Sequence, residues 1–140
     1  MSVAESPEVA RRAPSEQPSV LVVEDNRRLR ETLVRQLHDL GIEPSVAITG
    51  PEAVRLAGTL HPDLIILDGL LPGLHGFETA RLIRHMDGAY RPRIAILTAI
   101  YTKTNYQNEA RLKYGVDDYL VKPLKPSQLR ELLEHAKEQS

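Results

Sequence analysis

At 140 residues with 41% hydrophobic content, the chain has material for one hydrophobic core and not for a multidomain enzyme. A formal net charge of -1 gives no long-range field that would gather nucleic acid or an anionic membrane, so direct binding to either is not expected. The absence of cysteine excludes a disulfide framework, a thiol nucleophile and a cysteine-held metal; it suits a reducing compartment and makes the cytoplasm the expected location.

Residues 1–18 carry Pro7, Pro14 and Pro18 among Ser, Glu, Gln and Arg, a composition expected to form a flexible tail. They lack the basic start and apolar core of a secretory signal, and no later run reaches transmembrane length. Residues 19–140 are expected to be the single folded domain. It opens with the apolar run Val20-Leu21-Val22-Val23, closed by Glu24-Asp25. Leu29, Leu33, Leu37 and Leu40 then recur at helical spacing up to Gly41, which stops the helix. A second strand is expected near residues 44–48. Thr49-Gly50-Pro51-Glu52 has the spacing of a capping box with proline in the first turn, and Ala53, Leu56, Ala57 and Leu60 form the buried stripe of a second helix.

The third strand, Leu64-Ile65-Ile66-Leu67, ends at Asp68, and a loop with Pro72, Gly73 and Gly76 leads into a third helix over about residues 77–86. Ile94-Ala95-Ile96-Leu97 is the fourth strand, ending at Leu97-Thr98. A fourth helix is expected within residues 105–114, ended by Gly115. The fifth strand, residues 118–121, is closed by Lys122-Pro123, and Leu129, Leu132, Leu133 and Ala136 give a last amphipathic helix. Short apolar runs of this kind suit parallel strands covered on both faces, so five βα units imply a doubly wound α/β sandwich. Ligands bind such sheets beyond the carboxyl ends of the strands. Glu24, Asp25, Asp68, Thr98 and Lys122 all fall on that rim.

That set suits phosphoryl transfer. The Asp68 carboxylate can attack a phosphoryl group and form an acyl phosphate. Its own charge repels phosphate, so a cation is needed. Glu24 and Asp25 complete a Mg2+ (or Mn2+) site, with Asp25 the direct ligand, Glu24 acting through water and the Leu70 carbonyl a further oxygen. Lys122 would meet the transferred phosphoryl oxygens, and the Thr98 hydroxyl and Ala99 amide would donate to them.

The chain resembles the receiver domain of two-component response regulators over about residues 19–138, all of the expected folded part. The motifs are Val-Leu-Val-Val-Glu-Asp-Asn at 20–26, Asp68 followed by Leu-Pro-Gly-Leu-His-Gly-Phe-Glu at 71–78, Thr98-Ala99, and Gly-Val-Asp-Asp-Tyr-Leu-Val-Lys-Pro at 115–123. The resemblance implies a flavodoxin-like fold with strand order 2-1-3-4-5 and five helices. It also implies phosphorylation of Asp68 by a sensor histidine kinase or phosphotransfer protein, Mg2+ dependence, and a cis Lys122-Pro123 bond. It assigns a switch in which Thr98 moves toward the phosphoryl group and Tyr119 swings inward, altering an output face made of the fourth helix, fifth strand and fifth helix. That face would address a downstream protein partner, the chain being a monomer or weak homodimer. Without the resemblance, Tyr119 reads as a strand aromatic packed on the last helix.

The sequence departs from the pattern between Thr98 and Gly115, about two residues longer than usual, with the added length around residues 100–106 on the output face. Leu70 and Ile100 occupy positions that tune phosphoryl lifetime in the family; neither can hydrogen-bond water, so slow self-dephosphorylation is expected. His75 is expected to face solvent, and Arg81, Arg84, His85, Arg91 and Arg93 to form a solvated basic face. The competing reading is a phosphorylation-independent interaction module of the same fold, which would need neither the acidic set nor Lys122. A phosphoaspartate hydrolase of the haloacid dehalogenase type wants a carboxylate where Leu70 stands, and is discarded.

Overall fold

Five short strands carry the molecule: β1 (Val20–Val23), β2 (Ser45–Ala47), β3 (Leu64–Asp68), β4 (Arg93–Thr98) and β5 (Asp118–Val121). They form one parallel sheet in the order β2-β1-β3-β4-β5. The computed structural model describes residues 17–71, 75–86, 88–99 and 113–139. Four helices lie among them: α1 (Arg27–Asp39), α2 (Gly50–Leu60), α3 (Gly76–Arg84) and α4 (Pro126–Gln139). The last of these is the helix expected fifth. The one expected fourth lies outside the described residues, except for Lys113 and Tyr114, which are helical. Residues 1–16 of the expected tail, Pro72 and Gly73, and the stretch 100–106 with Ile100 also lie outside. Gln17 donates to the Leu40 carbonyl at 3.1 Å, and Pro18 is buried.

Because successive strand residues point to opposite faces, each central strand supplies two cores. Leu21, Val23, Ile65, Leu67, Ile94 and Ile96 pack under α2 and α3, against Ala53, Ala57, Ala80 and Ile83. Val20, Val22, Leu64, Ile66, Ala95 and Leu97 pack under α1 and α4, against Leu33, Leu37, Leu129, Leu132, Leu133 and Ala136. The sandwich is therefore doubly wound, as the uninterrupted apolar runs require. Among the described residues no helix is long and apolar enough to cross a membrane.

Local chemistry sets the helix ends. The Asn26 side chain accepts from the Leu29 amide at 3.0 Å and caps α1; beyond its end, Gly41 takes φ +82°, a conformation glycine adopts without strain. Thr49 Oγ1 accepts from the Glu52 amide at 3.2 Å, but Glu52 Oε1 reaches the amide of Ile48, one residue before the cap, rather than that of Thr49. The stripe expected for α2 is shorter than its sequence spacing. Ala53 and Ala57 are fully buried, whereas Leu60, in the last turn before the chain leaves through His61 at φ 47°, is 49% exposed. α3 ends at Arg84, two residues before the expected Met86.

The expected solvated basic face forms only in part: Arg81, His85 and Arg91 are exposed, whereas Arg84 and Arg93 are drawn inward. Arg84 donates to the Gly115 and Pro92 carbonyls and to Asp117 Oδ2 at 2.9 Å, and Arg93 grips both carboxylate oxygens of Asp118 at 2.7 and 3.0 Å. Both arginine side chains are only 19% exposed. The carboxylates at the start of β5 draw the two guanidiniums into the seam between α3, β4 and β5. Arg81 pairs with Glu78 on the surface, and Arg91 is exposed.

Candidate functional site

β1 and β3 deliver carboxylates side by side, because Val23 pairs with Leu67, Glu24 directly follows β1 and Asp68 ends β3. Glu24 and Asp68 are both buried, with relative exposures of 6% and 5%, while Asp25 is exposed. Carboxylate oxygens of all three lie within 4.8 Å of one another. Burying two like charges so close is unfavourable without a compensating cation.

Lys122 supplies one. Its ammonium sits 3.0 Å from Asp68 Oδ1 and 3.1 Å from Glu24 Oε1. It arrives there because β5 pairs with β4 and the Lys122 amide donates to the Thr98 carbonyl at 2.7 Å; the following Lys122-Pro123 peptide is cis. Burial works against the charge on Lys122, but the hydrogen bonds to Asp68 and Glu24 outweigh it and hold its pKa above the ordinary value. Burial pushes the Glu24 carboxyl upward, opposed by the Asn26 amide and by Lys122 and reinforced by the charge of Asp68. The Asn26 amide donates to Glu24 Oε2 at 3.1 Å, so both Glu24 oxygens are engaged.

Asp68 is held from the other side as well. The Leu70 amide donates to Oδ1 at 3.1 Å, so this oxygen carries both the ammonium and a main-chain donor. The chain after Asp68 is folded back by Gly76, whose amide donates to the Gly69 carbonyl at 3.2 Å. A Cβ on Gly76 would stand 2.8 Å from Gly69 Cα and 3.0 Å from the Asp68 carbonyl carbon, and would collide with the Asp68 carbonyl oxygen. Gly76 therefore lets the start of α3 rest on the backbone of Asp68.

The structure brings Glu24, Asp25, Asp68 and Lys122 together, with half-buried Thr98 and exposed Ala99 at the end of β4 beside them. Leu70 is 69% exposed, and His75 is exposed at the start of α3. Tyr119 does not pack on the last helix. Its ring lies on the opposite face of the sheet, 5.9 Å from the ring of Phe77, which is also 5.3 Å from that of Tyr114. Strand alternation decides this: Leu120 is the β5 residue that turns toward α4. Sequence reasoning did not single out Gly76 as the contact beneath Asp68. A glycine opening a helix just after a functional loop is the signal that a close backbone approach leaves.

The oxygen-only donor set of Glu24, Asp25 and Asp68, with the buried pair offset by an ammonium, fits a hard divalent cation. Among the described residues no soft-metal ligand accompanies them in that cluster.

Residues 20–134 match the family described as response regulator receiver domain. The chain is 37% identical over 107 residues to the transcriptional regulatory protein AfsQ1 of Streptomyces coelicolor, covering 76% of this chain and 45% of that protein. It is 37% identical over 111 residues to the DNA-binding response regulator MtrA of Mycobacterium tuberculosis H37Rv, covering 79% and 46%. The chain thus spans about half the length of these curated relatives. Among solved structures, the receiver domain of Francisella response regulator 1452 superposes with a TM-score of 0.77 at 30% identity, over 87% of this chain and 98% of that one. The receiver domain of the Pseudomonas aeruginosa sensor histidine kinase PA1611, solved with magnesium in its active-site cleft, gives 0.76 at 32%, over 88% and 99%.

Proposed function

The chain belongs to the response regulator receiver domain family of two-component signalling, and from that membership we propose that it is a switch controlled by phosphorylation of Asp68. The single observation that carries the reading is the Lys122 ammonium, placed 3.0 Å from a buried aspartate at the end of a central strand. A surface scaffold has no use for a desolvated carboxylate paired in this way.

The donor is a phosphohistidine of a sensor histidine kinase or phosphotransfer protein. With Oδ1 of Asp68 held by Lys122 and by the Leu70 amide, Oδ2 is the oxygen we assign to attack phosphorus. The new O–P bond forms as the P–N bond breaks, and the imidazole leaves with the electron pair. A Mg2+ or Mn2+ ion held by Glu24, Asp25, Asp68 and the Leu70 carbonyl would offset the repulsion between carboxylate and phosphoryl group. Lys122 follows the transferred oxygens by leaving Glu24, and the Thr98 hydroxyl and Ala99 amide donate to them. Thr98 and Tyr119 then carry the change to the face formed by the fourth family helix, β5 and α4. A phosphoryl group shifts such an equilibrium only by interacting differently with the two arrangements.

We assign residues 19–140 as the receiver and 1–18 as a tail, acting in the cytoplasm on a downstream protein. The DNA-binding name of MtrA belongs to a protein of which this chain covers 46%. Intact-mass measurement after incubation with acetyl phosphate and Mg2+ tests the reading. One labile phosphoryl adduct, absent in Asp68→Asn and without metal, is the expected result. A folded protein that takes no adduct from acetyl phosphate or from candidate kinases would instead be the phosphorylation-independent module.

A further inference from the structure

We infer that Arg30 is a positioning residue for the acidic loop, strapping the main chain of Glu24 and Asp25 so that their carboxylates converge on Asp68. This rests on the proposed need for a cation at that site. Arg30 Nη1 donates to the Glu24 carbonyl at 3.1 Å and to the Asp25 carbonyl at 3.3 Å. Side chains on a helix lean toward its N-terminus, so a residue one turn into α1 covers the loop that enters it. The half-buried Arg30 is long enough to reach past the helix start.

The charge pattern of α1 points the same way. Arg27, Arg28 and Arg30 fall among its first four residues, and its first turn holds no acidic side chain. Cations there oppose the helix macrodipole. Arg27 pairs with Glu31 one turn on, at strongly exposed positions. Arg30 instead directs its donors backward, to carbonyl oxygens.

Asp25 is the ligand that needs this most. Glu24 is fixed through its carboxylate by the Asn26 amide and Lys122, and through its own amide by the Ala47 carbonyl. Asp25 is exposed, and the direction of its side chain follows from its main chain. By gripping main-chain carbonyls, Arg30 orients the acidic loop without occupying either carboxylate, and the side chain that depends on it is that of Asp25.

The sign of the effect separates this role from long-range electrostatics. Removing a positive charge near a cation site would by itself tighten cation binding. Removing a strap loosens it. Titration of the wild type, Arg30→Met and Arg30→Lys with Mg2+ alone, followed by the amide resonances of Asp25, Asn26 and Asp68, reads the dissociation constant without any phosphoryl transfer. Arg30→Met is expected to bind Mg2+ about three- to tenfold more weakly, the range for loss of one or two hydrogen bonds. Arg30→Lys keeps the charge but not the planar fork, and is expected to fall between. Thermal unfolding in EDTA identifies the temperature at which each variant is folded, and Arg30→Lys alone suffices if Arg30→Met does not fold. Equal or tighter Mg2+ binding in the folded variants would overturn the role of Arg30 and leave the cation site standing. A wild type that binds no Mg2+ would overturn both.

Discussion

Replacing Gly76 with alanine puts a methyl group where the backbone of Asp68 and Gly69 already stands. The added Cβ would lie 2.8 Å from Gly69 Cα and 3.0 Å from the Asp68 carbonyl carbon, and would overlap the Asp68 carbonyl oxygen. These are main-chain atoms at the end of a fully buried strand, so no side chain can rotate away and either α3 or the Asp68 loop must move. Overpacking of a rigid site destabilises by about 1–3 kcal/mol, and the upper end applies here. For a domain of this size that lowers Tm by about 10 °C. The same displacement moves Asp68 relative to Lys122, and misplacement of a reacting group by about 1 Å can slow its reaction by about a hundredfold. Gly58→Ala is the matched control. It is also helical, but its Cβ would meet only Met86 Sδ at 3.7 Å, an ordinary contact, so the helix should gain about 0.5–1 kcal/mol. Differential scanning calorimetry and the rate of phosphorylation by acetyl phosphate read the two effects. If both substitutions move Tm in the same direction, or if Gly76→Ala is phosphorylated at the wild-type rate, the close approach has been misjudged.

Lys122→Met should remove the cation from a pair of buried carboxylates and cost about 2 kcal/mol in EDTA, a value discounted for residual solvent at the site. Saturating Mg2+ should restore most of that loss, because it binds the folded state alone, and a variant whose Tm does not respond to Mg2+ would refute the arrangement. Stability should fall steeply above about pH 10. Tyr90, buried and donating to the Pro62 carbonyl at 2.6 Å, has its phenol raised above the ordinary 10.0 by burial and then by Asp63. Lys122 is raised above 10.5 despite its burial, chiefly by Asp68 and Glu24. A raised folded value means that each group's contribution is present below its unfolded pKa and lost as pH rises toward the folded one. The slope from Tyr90 alone is about 1.4 kcal/mol per pH unit, and Tyr90→Phe should flatten urea midpoints measured against pH; an unchanged slope would refute the assignment. With Leu70 as the neighbour of Asp68, the phosphorylated protein should keep its adduct for minutes or longer at neutral pH once acetyl phosphate is removed, and loss within seconds would contradict that expectation.

The parts of this molecule legible in the sequence were those fixed by period and by order along the chain. The apolar runs at residues 20–23, 64–67 and 94–97 suit buried strands and form them, and β3 ends at Asp68 where its apolar run stops. Glu24, Asp68 and Lys122 converge because a parallel sheet aligns its carboxyl ends, a property of topology and not of sequence distance. Part of what failed to show was decided by partners remote in the chain. Arg84 and Arg93 looked like solvent-facing charges until Asp117 and Asp118, 25 or more residues away, were set against them. The neighbour of Tyr119 is not legible from residue type alone, because its face depends on the register of β5, which the half-exposed strand states only weakly. Gly76 and Arg30 act through backbone atoms, and a contact to a backbone leaves no pattern in residue type at the receiving end.

Asp68, and no other carboxylate, is the proposed acceptor of the phosphoryl group. Trapping tests this most directly: the protein is treated with acetyl phosphate and Mg2+, the acyl phosphate is reduced with borohydride, which converts a phosphorylated aspartate to homoserine, and the peptides are mapped by mass spectrometry. Homoserine at position 68 alone, absent when Mg2+ is withheld, is the predicted result. Aspartate intact at 68, or homoserine at position 25, would contradict the account.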